Sequence, residues 1–421
     1  MSRFSNLTDW LNWQQTLHPK QIDLGLERVT QVADRLALLN PAHGVISVAG
    51  TNGKGSSVAM LESMLLAAGY RTGCYSSPHL LNYNERIRLN GENIDDDSLC
   101  AAFEAIDQAR GGTSLSYFEF GTLAALYLFA RASPDICILE VGLGGRLDAV
   151  NVIDADAALV TSIDIDHRAW LGDDRETIGR EKAGIFRALR PAVCSDTSAP
   201  ASVRAVARQL DAAWYAPDKG FTWTQTGSHW SWHSRHTTYK NLPMPALPGA
   251  HQLQNAAGVL MLLETLASRY PVSRQAIVQG LLEVSLAGRC QVLPGPVETI
   301  LDVAHNPASA ATLVRFLESR DISGRTRVVL GMLSDKDIAA FIDALAGVTD
   351  DWYLATLEGE RGLSSRTLAG VLDSQGSARN RQQFGCVEAA LAQARTDAAS
   401  GDRIIVCGSF VTVAKALASH V

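Results

Sequence analysis

The chain has 421 residues, 47% hydrophobic and 19% charged, the mix of a folded protein of two or three domains and not of a disordered or collagen-like chain. Lysine and arginine number 37 against 44 aspartates and glutamates, a net charge of −7, which argues against broad phosphate neutralisation on nucleic acid and leaves room for a local anion pocket. Seven scattered cysteines without CxxC or zinc spacing read as reduced thiols. With no secretory h-region and no apolar run of the about 20 residues a bilayer needs, a cytoplasmic protein with no membrane segment is expected.

Leu7, Trp10, Leu11, Gln14 and Leu17 fall at helical spacing before His18-Pro19 and predict an opening helix; a second is expected over 26–39. VISVAG (45–50) then reads as a buried strand ending in glycine, followed by a helix carrying Val58, Leu61, Met64, Leu65 and Ala68. Strands are predicted at 72–77, 136–141 and 158–165 and a helix at 119–132, so apolar strands alternate with helices as in a parallel sheet covered on both faces. FTWTQTGSHWSW (221–232) alternates around Gly227-Ser228 and predicts an antiparallel hairpin on a small side sheet. SLAGRCQVLPGPV (285–297) reads as a linker. Beyond it, strands in ETILDVA, RVVLGML, DWYLAT and DRIIVCG alternate with helices near 308–317, 338–346, 364–372 and 387–394. The expected fold is α/β: an N-terminal P-loop-like ATPase domain over 1–287, a linker over 288–297 and a smaller Rossmann-like domain over 298–421.

GTNGKGS (50–56) sits between strand and helix, where backbone N–H groups and the positive helix end cradle phosphate and Lys54 neutralises it, although it departs from GxxxxGK[ST]. GLGGRLD (142–148) lacks the third glycine of a dinucleotide fingerprint, so NAD binding is rejected, and its glycines are read as a sharp turn under a ligand. Ligands of open α/β sheets bind beyond the carboxyl ends of strands, and Gly50 to Ser56, Ser77, Glu140 and His167 all fall at such ends. Singly, Ser77 is a turn residue, Glu140 a strand-end ion pair and His167 a cap. Together they form an oxygen-rich set suited to magnesium or manganese more than to zinc. Glu181 and Lys182 in GREKAGIFR read as residues near a helix start, with a surface ion pair as the ordinary role. In the second domain Asp302, His305 and Asn306 of LDVAHNP, and then LSDKD (333–337), lie at strand ends that can face a nucleotide. Trp223, Trp230 and Trp232 are read as the face of a structural hairpin, and ENIDDD (92–97) as a turn and helix start.

GTNGKGS, SSPHL (76–80), EVGLGGRLDAVN (140–151), GREKAGIF, HQLQNAA (251–257), Gly288-Arg289, DVAHNP and CGSF (407–410), in this order and with IDLGLERV (22–29) ahead of them, resemble the Mur ligase superfamily. The likeness is strongest to its bifunctional dihydrofolate synthase/folylpolyglutamate synthase family and spans nearly the whole chain. The resemblance implies an ATP-dependent amide ligase that joins L-glutamate to dihydropteroate and then lengthens γ-linked glutamate tails on reduced folates, releasing ADP and phosphate. It implies that Thr51, Asn52, Gly53, Lys54, Gly55 and Ser56 hold the ATP phosphates and that Asn255, Arg289 and Asp302 contact ATP. Ser77, Glu140 and His167 would serve two Mg2+ sites, and Lys182 would be carbamylated. Phe118, Leu147, Asp148 and Ala149 match positions near the pterin, and His305 and Ser409 positions near the acyl end and incoming glutamate. K+ or another monovalent cation is a further candidate cofactor, and a monomer with no nucleic-acid or membrane partner is expected.

An acyl phosphate would give the carboxylate a leaving group, glutamate's amine would attack it, and closure of the two domains about 290–296 would exclude water. Arg168-Ala169 departs from the small polar and acidic residues expected beside His167. Alternatives are a ligase that only lengthens folate tails, another Mur-type amino-acid ligase, and a nucleotide-binding regulatory module. The residues Ser77, Glu140 and His167 weigh against the last, since a binder needs no transferred phosphoryl group.

Overall fold

The computed structural model describes residues 3–20, 22–217, 219–376 and 380–419. They belong to two compact units, Met1–Ala246 with Leu253–Val284, and Leu247–Gln252 with Ser285–Val421.

In the first unit β1 (Gly44–Ala49), β2 (Thr72–Tyr75), β3 (Ile87–Leu89), β4 (Glu92–Asn93), β5 (Ile136–Glu140), β6 (Ala157–Val160), β7 (Pro191–Cys194) and β8 (Ala213–Tyr215) form one sheet in the order β4-β3-β2-β5-β1-β6-β7-β8. From β2 to β8 every pairing is parallel, and β3 and β4 run antiparallel at one edge. β1, β5 and β6 are buried at every position, which is why they read as unbroken apolar runs. The opening helix Leu7–Leu17 is capped by Asn6, whose Oδ1 accepts from Asp9 N at 2.9 Å, and it buries Trp10 completely against Phe103 and Phe120.

Several boundaries differ from the sequence expectation for identifiable reasons. The helix expected over 26–39 spans Glu27–Arg35, because Ala37 takes a left-handed φ of 54° and Leu38 N bonds back to Ala33 O at 2.9 Å, turning the chain toward β1. The strand expected over 158–165 stops at Val160, since Thr161 and Ser162 spend their hydroxyls on Asn52 O at 2.8 and 2.9 Å. Lys182 lies in the last turn of a helix, Arg175–Ala183, and not near a helix start: Asp174 caps its beginning, accepting from Thr177 N at 2.8 Å, and Gly184 follows its end.

The predicted hairpin is present as β9 (Phe221–Thr226) and β10 (His229–Ser234), extended by β11 (Thr238–Pro243) in the order β11-β10-β9. Trp230 and Trp232 are buried, and their indole N–H groups donate to Pro243 O at 2.8 Å and Ala257 O at 3.1 Å, so this face is structural.

The second unit carries β12 (Gln291–Leu293), β13 (Glu298–Leu301), β14 (Thr326–Leu330), β15 (Asp351–Ala355), β16 (Arg381–Phe384) and β17 (Arg403–Cys407) in the order β12-β13-β17-β14-β15-β16. Only β12 is antiparallel, and it forms inside the segment read as linker. Asp402 accepts from Arg327 Nη2 at 3.0 Å, Arg325 N at 2.7 Å and Ala399 N at 3.0 Å, with both charged side chains at most 10% exposed. Arg327 also pairs with Asp351 at 2.8 Å, so losing Asp402 removes one of its two carboxylate partners and the acceptor of Arg325 N and Ala399 N. Asp402→Ala is therefore expected to destabilise by about 1–3 kcal/mol, read as a lower urea midpoint, whereas a surface change such as Arg366→Ala leaves the midpoint within error.

Among the described residues no helix is long and apolar enough to cross a membrane, and all seven cysteines are free thiols, five of them buried.

Candidate active site

β1 ends at Ala49 and delivers the chain to Gly50, where a side chain would collide with Thr161 Oγ1; Gly53, at a φ of 91°, then opens the helix Lys54–Ala67. The loop is held from β6 outward. Thr51 N donates to Ser162 O at 2.7 Å, and Thr51 Oγ1 donates to Asp164 O at 2.9 Å. The first N–H groups of the helix lack intrahelical acceptors, which makes its start an anion site, with buried Ser56 in the same turn. Asn255 packs on this loop, its Oδ1 2.6 Å from where a Gly53 side chain would begin. Lys54 Nζ donates to Gly50 O at 3.1 Å and Thr51 O at 3.4 Å, folded onto the loop it would leave to meet phosphate. Thr51 to Ser56 and Asn255 are thus brought together.

At the neighbouring strand tip, Glu140 is 4% exposed and its Oε2 accepts from Ser77 N at 3.3 Å. Lys182 Nζ donates to Gly50 O at 3.0 Å from the other side of the loop. Burial of Lys182, helped by the Lys54 charge and opposed by Asp166 and Asp148, holds its pKa down to about 7, so its amine is partly neutral at physiological pH. Glu181, next to it, makes the surface pair with Arg146 at 3.0 Å. His167 sits in a left-handed conformation, φ 52°, ahead of the short helix Arg168–Leu171, with Nε2 4.0 Å from Asp166 Oδ2. A hydroxyl and a carboxylate oxygen at one strand end are donors for a hard cation. Among the described residues no group of three or more His, Cys, Asp and Glu side chains converges as a metal cluster.

The glycines of 142–148 serve close approach. A side chain on Gly142 would run into the Phe118 ring at 2.6 Å, and one on Gly145 would sit 2.7 Å from Glu181 O and 2.8 Å from Lys182 O. Asp148, fully buried, accepts from Leu143 N at 2.8 Å and Val150 N at 3.0 Å. Burial raises its carboxyl to about 6, with these backbone donors working the other way. Leu147 O accepts from Gly25 N at 3.2 Å, and Ala149 begins the 3-10 turn Ala149–Val152. Phe118 and Leu147 to Ala149 therefore face one loop, with Asp148 committed to shaping it. Since the Gly145 contact is to backbone, Gly145→Ala is expected to cost about 1–3 kcal/mol and to lower turnover by displacing Lys182; melting and steady-state assays on one preparation check both.

In the second unit, Asp302 follows β13 and accepts from Cys290 N and Ala304 N, both at 2.8 Å. β13 and β17 are neighbours, and Gly408 N donates to Ala304 O at 2.9 Å, which ties the His305 loop to the Ser409 loop. His305 Nδ1 lies 2.8 Å from Val303 O, and its ring is 6.1 Å from Phe410. The Arg289 guanidinium stands 5.2 Å from the same Phe410 ring. Ser409 caps the helix Phe410–Ala418, its Oγ accepting from Thr412 N at 3.0 Å. Arg289, Asp302, His305 and Ser409 thus gather at adjacent strand ends within this unit.

Sequence reading passed over Asp166, which acts on Lys182, and the pair of buried Glu62 with Arg88. A signal for Glu62 was present: it is the one carboxylate in KGSSVAMLESMLLA, a helix buried on most of its surface.

Two family models match the chain, the Mur ligase middle domain over residues 48–263 and the Mur ligase glutamate ligase domain over 288–410. The chain is 47% identical to the dihydrofolate synthase/folylpolyglutamate synthase of Escherichia coli (strain K12), over 97% of its own length and 94% of that protein's. It is 41% identical to the Haemophilus influenzae protein of the same name, covering 98% and 97%. The solved structure of E. coli FolC with DHPP and ADP superposes with a TM-score of 0.94 at 46% identity, over 98% of this chain and 97% of that one. A bifunctional folylpolyglutamate synthase/dihydrofolate synthase with Mn, AMPPNP and L-glutamate bound gives 0.92 at 49% identity, over 99% and 98%.

Proposed function

Because this chain belongs to the Mur ligase family, and within it to the ATP-dependent dihydrofolate synthase/folylpolyglutamate synthases, we propose that it joins L-glutamate to 7,8-dihydropteroate and then adds γ-linked glutamates to reduced folates, through an acyl phosphate. The observation that carries the assignment of roles is the meeting of Lys54, Lys182 and the Gly50 carbonyl at the phosphate loop.

Thr51 to Ser56 and Asn255 bind ATP phosphates in the first unit, with Arg289 and Asp302 as the ATP-contacting residues of the second. Phe118 and Leu147 to Ala149 line the pterin end, and His305 and Ser409 serve the acyl end and incoming glutamate. The substrate carboxylate attacks the γ-phosphorus and ADP leaves; glutamate's amine then attacks the acyl carbon and phosphate leaves. Lys54 offsets charge on the phosphoryl oxygens. Ser77 and Glu140, oxygen donors at one strand end, fit Mg2+ or Mn2+, with His167 as a further ligand in a two-site arrangement. Such a cation supplies further neutralisation of phosphate charge. Lys182, buried with a depressed pKa, has the neutral amine that CO2 requires, and carbamylation would turn it into an anionic oxygen donor at the loop. The proposal extends to a cytoplasmic monomer, in keeping with seven free thiols, and to a monovalent cation requirement.

The test is ADP release with Mg2+ and ATP, adding dihydropteroate and L-glutamate separately and together and weighing the product. Turnover only with both, yielding dihydrofolate, supports the proposal. Turnover only with a reduced folate and glutamate overturns the synthase half, and no turnover with either acceptor overturns the substrate assignment.

A further inference from the structure

Behind the Ser77–Glu140 end of the sheet lies a charge pair, buried Glu62 with partly exposed Arg88, that the mechanism does not use. Arg88, on β3 between β2 and the edge strand β4, sends its guanidinium inward. Its Nη2 lies 2.8 Å from Glu62 Oε2 and donates to Cys74 Sγ at 2.9 Å, while its Nη1 donates to Ser76 Oγ at 3.2 Å and Glu85 O at 3.1 Å. Glu62 stands two turns along the helix that begins at Lys54, is 6% exposed, and its Oε1 has no hydrogen-bond partner among the described residues. One guanidinium thus joins the phosphate-loop helix to the turn that carries Ser77, and its charge also acts on Glu140.

We propose that Glu62 and Arg88 are a positioning pair that ties the phosphate-loop helix to the Ser76–Ser77 turn and sets how tightly the Ser77–Glu140 end of the sheet holds a divalent cation. The inference rests on the cation-site reading above. Neither residue is among those assigned above to ATP, the folate or glutamate. Arg88 fixes Ser76 and thereby the backbone from which Ser77 N reaches Glu140 Oε2. Glu62 cancels the positive charge that would otherwise stand beside Glu140 and repel the cation. The pair is neutral together and its members act oppositely alone.

The experiment measures Mn2+ binding to the full-length protein with AMPPNP by electron paramagnetic resonance, alongside melting temperature and steady-state turnover. Glu62→Gln leaves Arg88 uncompensated and is expected to weaken Mn2+ about 3- to 10-fold. In Glu62→Gln/Arg88→Gln the charge is balanced again, so affinity returns to within about twofold of the parent, while turnover stays about tenfold down because Ser76 has lost its anchor. A merely structural pair would move stability and leave this reversal in Mn2+ affinity absent. Should Glu62→Gln fail to fold, Arg88→Lys takes its place: it keeps the charge but not the guanidinium's spread of contacts, and the expectation is near-parent Mn2+ affinity with reduced turnover. Glu140→Gln separates the two readings. If it abolishes Mn2+ binding while the folded pair variants bind and turn over as the parent does, the positioning pair is overturned and the cation site stands; if it leaves Mn2+ binding unchanged, the cation-site reading falls and takes the inference with it.

Discussion

Replacing Lys182 by methionine is expected to abolish ligase turnover, by about 10³-fold or more in kcat, while raising the melting temperature. The amine is fully buried and its pKa is held at about 7 against 10.5 in the open chain, so the folded state binds this proton less firmly than the unfolded state does. For such a group the stability contribution is present above pH 10.5 and is lost as pH falls through 7. The parent protein therefore pays a growing penalty between those values, and methionine, of similar length and without charge, removes it. The difference in melting temperature should widen as pH drops from about 10 to 7 and stay flat below, at about 1–2 °C per kcal/mol relieved. Melting curves at four pH values check the sign. Carbamylation adds a second arm: turnover of the parent should fall in CO2-depleted buffer and return with bicarbonate, and Lys182→Met should answer to neither.

Lys54→Ala should lose turnover on a similar scale, about 10³-fold, with little change in stability. Its ammonium is held by the carbonyls of Gly50 and Thr51 at 3.1 and 3.4 Å, contacts that water replaces at small cost, and the loop remains tied through Thr51, Asn52, Thr161 and Ser162. What goes is positive charge aimed at the transferred phosphoryl group. ADP release and circular dichroism on the same sample decide the matter. An active Lys54→Ala protein would remove the loop's lysine from the chemistry.

The strands that position the site were legible because burial on both faces left β1, β5 and β6 with almost no polar residues inside them, and Gly50, just beyond β1, and Glu140, the last residue of β5, marked their carboxyl ends. Short strands at or next to the sheet edges were not legible in the same way. β3, β4, β12 and β16 are short and contain Arg88, Glu92, Gln291 and Arg381, so they resemble loops in composition although the sheets are completed by them. Helix ends set by a tertiary contact also escaped, as at Ala37. Within the site, the strand, glycine loop and helix of residues 45–67 were plain in the sequence, whereas the neutral tendency of Lys182 depends on what is packed around it. GREKAGIFR has the composition of a surface helix; the close approach of Gly145 and the tie to Gly50 are what bury that lysine.

The place of β1 in the sheet bears on how the protein is made. The strand that carries the phosphate loop emerges early from the ribosome, yet Gly44 pairs with Ile136 and Ile46 with Ala157, so its neighbours on both sides are synthesised much later. Until they arrive, a strand buried at every position in the finished sheet lacks both of its neighbours, and closing so long a loop carries an entropic cost before any contact rewards it. The central strand of the finished sheet is thus the one most in need of shelter while the chain is growing.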